Sequence, residues 1–90
     1  MQIGVNELWN KCLMIIKEDI SEHNFNTWFT PIVPLKFSNN TLTLEVPSQF
    51  FYEWLEENYV SIFRKAIDLV IGKNGMLEYS VVIDKGDRKN

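Results

Sequence analysis

The chain has 90 residues, of which 46% are hydrophobic and 23% are charged, and its formal net charge is −3. A chain of this length forms one small domain that hides only about 60% of its unfolded surface. The negative balance and the scattered basic residues argue against gripping duplex DNA, and one cysteine with one histidine excludes an internal disulfide and a structural zinc.

The first predicted element is a helix from Asn6, a favoured N-cap residue, to about Asp19. Its apolar residues cover roughly 160° of the helical circumference, whereas one buried face requires a stripe of about 100°. Trp9 and Leu13, with Ile20, lie on one edge of this wide arc. We expect that edge to face outward, as a candidate contact with another molecule.

Ser21 is predicted to cap a second, short helix that runs through Phe29. Pro31 ends this helix, because the proline ring disfavours a helical conformation at the preceding residue. Three aromatic side chains at spacings of three and four form its predicted inner stripe. They are Phe25, Trp28 and Phe29.

Residues 33–38 and 41–46 alternate apolar and polar side chains on the two sides of Asn39-Asn40, a dipeptide that tolerates positive φ. This pattern predicts a β-hairpin. In its first strand the apolar residues are Val33, Leu35 and Phe37. Pro34 donates no ladder hydrogen bond and therefore indicates an edge strand.

Ser48 is predicted to cap the longest helix, which runs to about Ile71 and stops at Gly72 in a left-handed conformation. Its predicted core stripe consists of seven apolar residues. These are Phe51, Leu55, Tyr59, Ile62, Phe63, Ala66 and Val70.

Residues 77–83 alternate again and predict a third strand, and the polar residues 85–90 read as the start of a flexible linker. The predicted order is α-α-β-β-α-β. An α+β domain over residues 1–84, with helices packed on a three-stranded sheet, buries the apolar stripes of these elements.

Aromatic residues are concentrated in residues 25–32 and 47–55, which hold seven of the twelve rings. Such a surplus of rings in two short stretches favours a docking surface. Phe50 is the best candidate contact, since it lies about 100° around the helix from Phe51 and just after the cap. Trp28, Phe51, Trp54 and Tyr59 are interpreted as core residues.

The chain lacks the side chains of a recognisable active site, so we expect neither an enzyme nor a bound cofactor or metal. His23 has no Ser and acid partners at a catalytic spacing, and the glutamates 53, 56 and 57 are interpreted as a solvated helix flank. Gly72-Lys73-Asn74-Gly75 superficially fits the Gly-x-x-Gly loop of KH domains, but that loop should join two helices. The segment is not a P-loop either.

No apolar run approaches the ~20 residues that span a bilayer, and the opening Met1-Gln2-Ile3-Gly4 lacks the regions of a signal peptide. We therefore expect a soluble, cytoplasmic domain that does not contact a membrane.

Several spaced segments match a known family in order and separation. They are Leu8-Trp9, Cys12-Leu13, Phe25-x-x-Trp28-Phe29-x-Pro31, Asn40-Thr41-Leu42-Thr43-Leu44-x-Val46-Pro47, Phe50-x-x-x-Trp54-Leu55 and Tyr59. Together they resemble the N-terminal domain of DnaA, the bacterial chromosomal replication initiator, over residues 7–83. The resemblance implies a KH-like α-α-β-β-α-β fold without the Gly-x-x-Gly loop.

The resemblance also implies a protein-interaction module. Its implied partners are other DnaA copies, the replicative helicase DnaB, and a regulator of the DiaA, HobA or SirA type. By position, Trp9 and Leu13 match the family's self-association patch. The helicase and regulator surface corresponds to Asn24, Thr27, Trp28, Ser48 and Phe50.

Asn24 occupies a position that is glutamate in some members of the family, which removes a charge from that surface. Two other functions are compatible with the sequence. One is a KH-like module that stacks single-stranded nucleic acid on Trp9, Trp28 or Phe50, which the acidity of the chain makes weak at most. The other is a structural spacer, which would leave the surplus rings unexplained.

Overall fold

The computed structural model describes residues 4–82, which form four helices and three strands. In chain order they are α1 (Val5–Lys17), α2 (Glu22–Trp28), β1 (Val33–Ser38), β2 (Thr41–Val46), α3 (Gln49–Asn58), α4 (Val60–Val70) and β3 (Met76–Val81). The predicted α+β class is confirmed, with one helix more than expected. Ile83, Asp84 and the predicted linker 85–90 lie outside the described residues.

Side-chain caps begin α2 and α3 as predicted. The hydroxyl of Ser21 accepts a hydrogen bond from the Asn24 N–H at 3.1 Å, and that of Ser48 accepts one from the Phe51 N–H at 3.1 Å. The predicted cap of α1 is wrong, because that helix begins after Gly4 and encloses Asn6. The Gly4 carbonyl accepts the first helical hydrogen bond, from the Leu8 N–H at 3.0 Å, and no side chain caps the N–H groups of the first turn.

The predicted long helix from Ser48 to Ile71 is wrong, since it breaks into α3 and α4 at Tyr59. Tyr59 leaves the helical conformation with φ −127° and ψ 13°, and its ring meets the buried ring of Phe29 edge-on at 5.2 Å. The change of direction allows α3 to pack on β2 and β3 while α4 packs along α1. Gly72 ends α4 with positive φ, 122°, beyond the left-handed helical region that was expected.

The three strands form one mixed sheet in the order β1-β2-β3, with β1 antiparallel and β3 parallel to β2. The hairpin between β1 and β2 turns at Asn39 and Asn40, whose φ values of 53° and 62° are both positive, as predicted. Pro34 lies in β1, which is an edge strand, so that prediction is also confirmed.

The apolar residues of β1 do not share one face of the sheet. A register shift between Pro34 and Lys36 places Val33 opposite Glu45 but Phe37 opposite Leu42. The extra residue, Leu35, inverts the alternation because successive side chains of a strand point to opposite faces. Val33, Leu35 and Phe37 are all exposed.

The core lies between the helices and one face of the sheet. Among residues 4–82 it contains fourteen buried apolar residues, including Leu42, Leu44 and Val46 on β2. Ile32 and Ile67 belong to it although neither was predicted as a core residue. Among residues 4–82, no helix is both long and apolar enough to cross a membrane.

Candidate functional site

An aromatic patch joins α2 to α3. The indole of Trp28 stacks on that of Trp54, with centroids 4.9 Å apart and planes 14° apart, and lies 5.0 Å from the ring of Phe51. Phe50 extends this cluster along the outside of α3, where 67% of its surface is exposed. We call Trp28, Phe50, Phe51 and Trp54 the aromatic patch.

The exposed side of α3 is acidic as well as aromatic. Phe50 and Trp54 border a shallow groove of about 350 Å³, together with Glu53 and Glu57. These four residues are three or four positions apart and therefore lie on one helix face. The glutamates are exposed, as the sequence predicted for a solvated flank. A partner that covers Phe50 would therefore meet negative charge at the same time.

On α2, Asn24, Thr27 and Trp28 share one face because they are spaced by three and four residues. Thr27 is exposed, and Asn24 and Trp28 are half-buried. Trp28 connects this face to α3 through its contacts with Phe51 and Trp54. The predicted face of α2 is therefore connected through Trp28 to α3, the helix that carries Phe50 and is capped by Ser48.

Ser48 is exposed, and its hydroxyl caps α3. The cap fixes where the helix begins, and thereby the direction in which Phe50 projects from its first turn. In the structure, Ser48 therefore helps to position Phe50.

The predicted exposure of Trp9 is wrong. Only 3% of its surface is accessible, and its ring stacks on Phe63 of α4 at 6.2 Å, with planes 15° apart. Helix α1 packs against α4, α2 and β1 at once, so its wide apolar arc is needed for several neighbours within the fold. Leu13 is half-buried, and the most exposed apolar residue of α1 is Met14, at 70%.

Trp54 is a candidate contact residue that the sequence analysis placed in the core. It is 37% exposed, stacks on Trp28 and borders the same groove as Phe50. Its position four residues after Phe50 places both rings on one helix face, which is a signal that the sequence contains.

The Cys12 thiol is enclosed in the fold. Burial raises the pKa of the Cys12 thiol to about 11, so it stays protonated at neutral pH. Within residues 4–82, no cluster of three or more His, Cys, Asp or Glu side chains could hold a metal ion. Gly72-Lys73-Asn74-Gly75 follows α4 and precedes β3, so it lacks the helix-to-helix setting of the KH loop.

Helices on one side of a three-stranded mixed sheet, with an exposed aromatic patch, define a small α+β domain. Comparison with known proteins identifies its family. Residues 6–68 match the model of the DnaA N-terminal domain, and the chain belongs to that family.

Three relatives of the chain are chromosomal replication initiator proteins called DnaA. The chain is 51% identical over 78 residues to the chromosomal replication initiator protein DnaA of Bacteroides thetaiotaomicron, and 54% identical over 79 residues to that of Chlorobaculum tepidum. The DnaA protein of Porphyromonas gingivalis is 45% identical over 86 residues. These matches cover 87%, 88% and 96% of this chain but only 17%, 16% and 18% of the respective relatives.

Proposed function

We propose that the domain is a protein-interaction module of the chromosomal replication initiator. It recruits the replicative helicase DnaB, binds a regulator of the DiaA, HobA or SirA type on the same surface, and associates weakly with other copies of the initiator. In this proposal residues 1–84 act as a cytoplasmic docking domain, residues 85–90 begin the linker to the rest of the initiator, and the domain itself catalyses no reaction.

The observation that carries the proposal is the exposure of Phe50. A phenyl ring that is 67% accessible leaves unburied most of the apolar surface that folding could hide. Its neighbour Phe51 is half-buried against Trp28, so the fold uses one ring of the pair and leaves the other outside. Exposed rings of this kind act as anchors that partners cover.

The chemistry of the surroundings defines the partner's surface. Glu53 and Glu57 border the same groove as Phe50 and give it a negative rim. We therefore assign the docking partner an apolar pocket for the phenyl ring with basic side chains at its rim. Asn24, Thr27, Trp28 and Ser48 complete the proposed helicase and regulator surface.

The proposed contact is weak for a single domain. One exposed ring and a small rim have to offset the rotational and translational freedom that is lost on association. Several initiator molecules aligned on origin DNA would present several domains to a multi-subunit helicase, which raises the effective concentration of each contact. Weak individual binding is therefore compatible with efficient recruitment.

The decisive variant is Phe50→Ala, tested by surface plasmon resonance for binding of purified DnaB from the same organism. We expect at least a tenfold loss of affinity, because truncating a ring at the centre of an interface typically costs about 2 kcal/mol or more. Circular dichroism and urea denaturation should match those of the parent domain, since the ring is outside the core.

Leu69→Ala is the matched control, because Leu69 is 66% exposed and lies on α4. The proposal predicts parental affinity for this variant. If both variants bind DnaB equally well, Phe50 is not the anchor. Steeply salt-sensitive binding of single-stranded DNA by the parent, abolished by Phe50→Ala, would instead favour the nucleic-acid function.

A further inference from the structure

The burial of Trp9 leaves the proposed self-association without its expected contact, and the sheet offers another. Strand β3 pairs with β2 on one side only, and within residues 4–82 nothing pairs with its other side. Open strand edges are templates for pairing with another chain. The inference that follows rests on the self-association contained in the proposed function.

The hydrogen-bonding groups at this open edge can be identified. Met76 donates its N–H to the Asn40 carbonyl at 2.7 Å, and Val82 donates its N–H to the Val46 carbonyl at 3.0 Å. Because backbone groups alternate sides along a strand, the even-numbered residues face β2. The N–H and C=O groups of Leu77, Tyr79 and Val81 therefore point to the open side.

The two edges of the sheet differ in protection. On β1, Pro34 and the bulge at Leu35 interrupt the ladder, and both features discourage edge-to-edge pairing. Strand β3 contains neither proline nor lysine, and its register with β2 is unbroken from Met76 to Val81. Arg64 of α4 covers only the carbonyl of Gly75, at 2.8 Å, just before the strand.

The side chains of β3 are self-complementary in one antiparallel register. With Tyr79 opposite Tyr79 of a second copy, Leu77 lies opposite Val81, and these pairs exchange backbone hydrogen bonds in both directions. On the face away from the helices, Met76 lies opposite Val82 and Glu78 opposite Ser80. Met76 and Val82 are exposed apolar residues, at 56% and 46%, and each would cover the other.

The two neighbouring registers are less favourable. A shift by two residues in one direction would place Glu78 opposite Glu78 of the second copy, and like charges directly opposite are destabilising. A shift in the other direction would place Glu78 opposite the apolar Val82 and remove the contact between Met76 and Val82. The favoured register has space on the helix side, where a groove of about 170 Å³ lies between α4 and β3. Leu77 and Tyr79 border this groove.

We propose that two copies of this chain associate through their β3 edges, antiparallel about Tyr79, to form a continuous six-stranded sheet. The pairing is isologous, so each contact outside the two-fold axis occurs twice. A short strand with two small apolar contacts gives the weak association that the proposed function requires.

Disulfide trapping tests the register directly. Met76→Cys and Val82→Cys are prepared as separate single variants, purified reduced, and then oxidised alone and as a mixture. Opposed residues that do not exchange hydrogen bonds have Cα atoms about 4.5 Å apart, within disulfide range. We expect covalent dimers in the mixture at least tenfold faster than in either variant alone. Cys12 is fully buried and does not compete.

Random collision is controlled by mixing Met76→Cys with Leu69→Cys, whose position on α4 is exposed to a similar degree. Equal rates in both mixtures would overturn the β3 pairing. If sedimentation of the parent chain at high concentration still shows dimers, the chain self-associates as proposed but through a surface other than β3. If no dimer forms at any concentration, both inferences fail, and the binding of DnaB is a separate measurement.

Charge substitutions at Ser80 provide a second test that leaves the core unchanged. In the two-fold dimer, position 80 of each copy lies opposite Glu78 of the other copy. Ser80→Glu therefore adds two repulsive pairs and should weaken the dimer roughly two- to thirty-fold, whereas Ser80→Lys should strengthen it. Ser38→Glu and Ser38→Lys make the same changes of net charge on β1, at the opposite edge of the sheet. If the Ser38 and Ser80 variants change dimerisation equally, only net charge matters and the register is wrong.

Discussion

Replacing Trp9 with alanine distinguishes a core residue from a contact residue. The side chain is 97% removed from solvent by the fold and stacks on Phe63, which is itself 2% exposed. Truncation of a buried tryptophan costs about 3–5 kcal/mol, from lost burial and from the cavity that remains. A domain of this size is stabilised by roughly 5–13 kcal/mol, so the variant should lose a large part of its stability.

The assay is urea denaturation followed by circular dichroism. With a slope of about 1.5 kcal/mol per molar urea, Trp9→Ala should lower the midpoint by about 2–3 M. Met14→Ala is the control on the same helix, because Met14 is 70% exposed, and its midpoint should stay within about 0.3 M of the parent value. If Trp9→Ala unfolds like the parent but no longer dimerises, Trp9 is a contact and the packing argument is refuted.

Two further changes test the packing elsewhere. A Cβ at Gly75 would lie 2.6 Å from Ile67 Cγ2 and 2.9 Å from Ile71 Cγ2, so Gly75→Ala should cost about 1–3 kcal/mol in urea denaturation. Gly4→Ala meets no neighbouring atom but replaces the N-cap of α1, so it should cost less, below about 1 kcal/mol. The pKa of Cys12 is raised from 9.0 to about 11, so its stabilising contribution is complete below pH 9 and is lost between pH 9 and 11. Unfolding free energy should fall by about 2 kcal/mol from pH 8 to 10.5, and less in Cys12→Ala; an equal fall in both would exclude the thiol as the cause.

The pKa of Tyr79 changes in the same direction. Burial is the main cause, and the negative charge of Glu56 adds to it. Ionisation of Tyr79 therefore opposes folding above pH 10, which adds to the alkaline loss of stability in the parent and in the Cys12→Ala control alike.

Features of the fold that depend on a few neighbouring residues were predictable. The caps at Ser21 and Ser48 each satisfy a nearby N–H, and the turn at Asn39-Asn40 needs only two residues that tolerate positive φ. The groups that form each cap or turn all lie within four consecutive residues. Sequence therefore determines them before any tertiary contact forms.

Features that depend on distant contacts were not predictable. The helix break at Tyr59 has no proline or glycine to mark it and accompanies packing on Phe29, thirty positions earlier in the chain. The bulge at Leu35 appears only when β1 is paired with β2. Trp9 seemed surplus because the periodicity of one helix cannot tell how many neighbours will cover it.

The residues of the candidate site show the same difference between local and distant contacts. The exposure of Phe50 followed from its position just after a cap, which is local, and the structure confirms it. The participation of Trp54 depends on stacking against Trp28 of another helix, and reasoning helix by helix left it in the core. A surface that spans two helices is visible only when their relative placement is known.

The exposed ring and its support have different roles under the proposed function. Trp28 holds Phe51 and Trp54 in place, and Ser48 fixes the first turn of α3, so Phe50 projects from a rigid base. A preorganised anchor loses little conformational freedom when a partner covers it. Because the fold does not need the phenyl ring, a partner can be gained or lost there without loss of stability, which is what a surface shared by a helicase and a regulator requires.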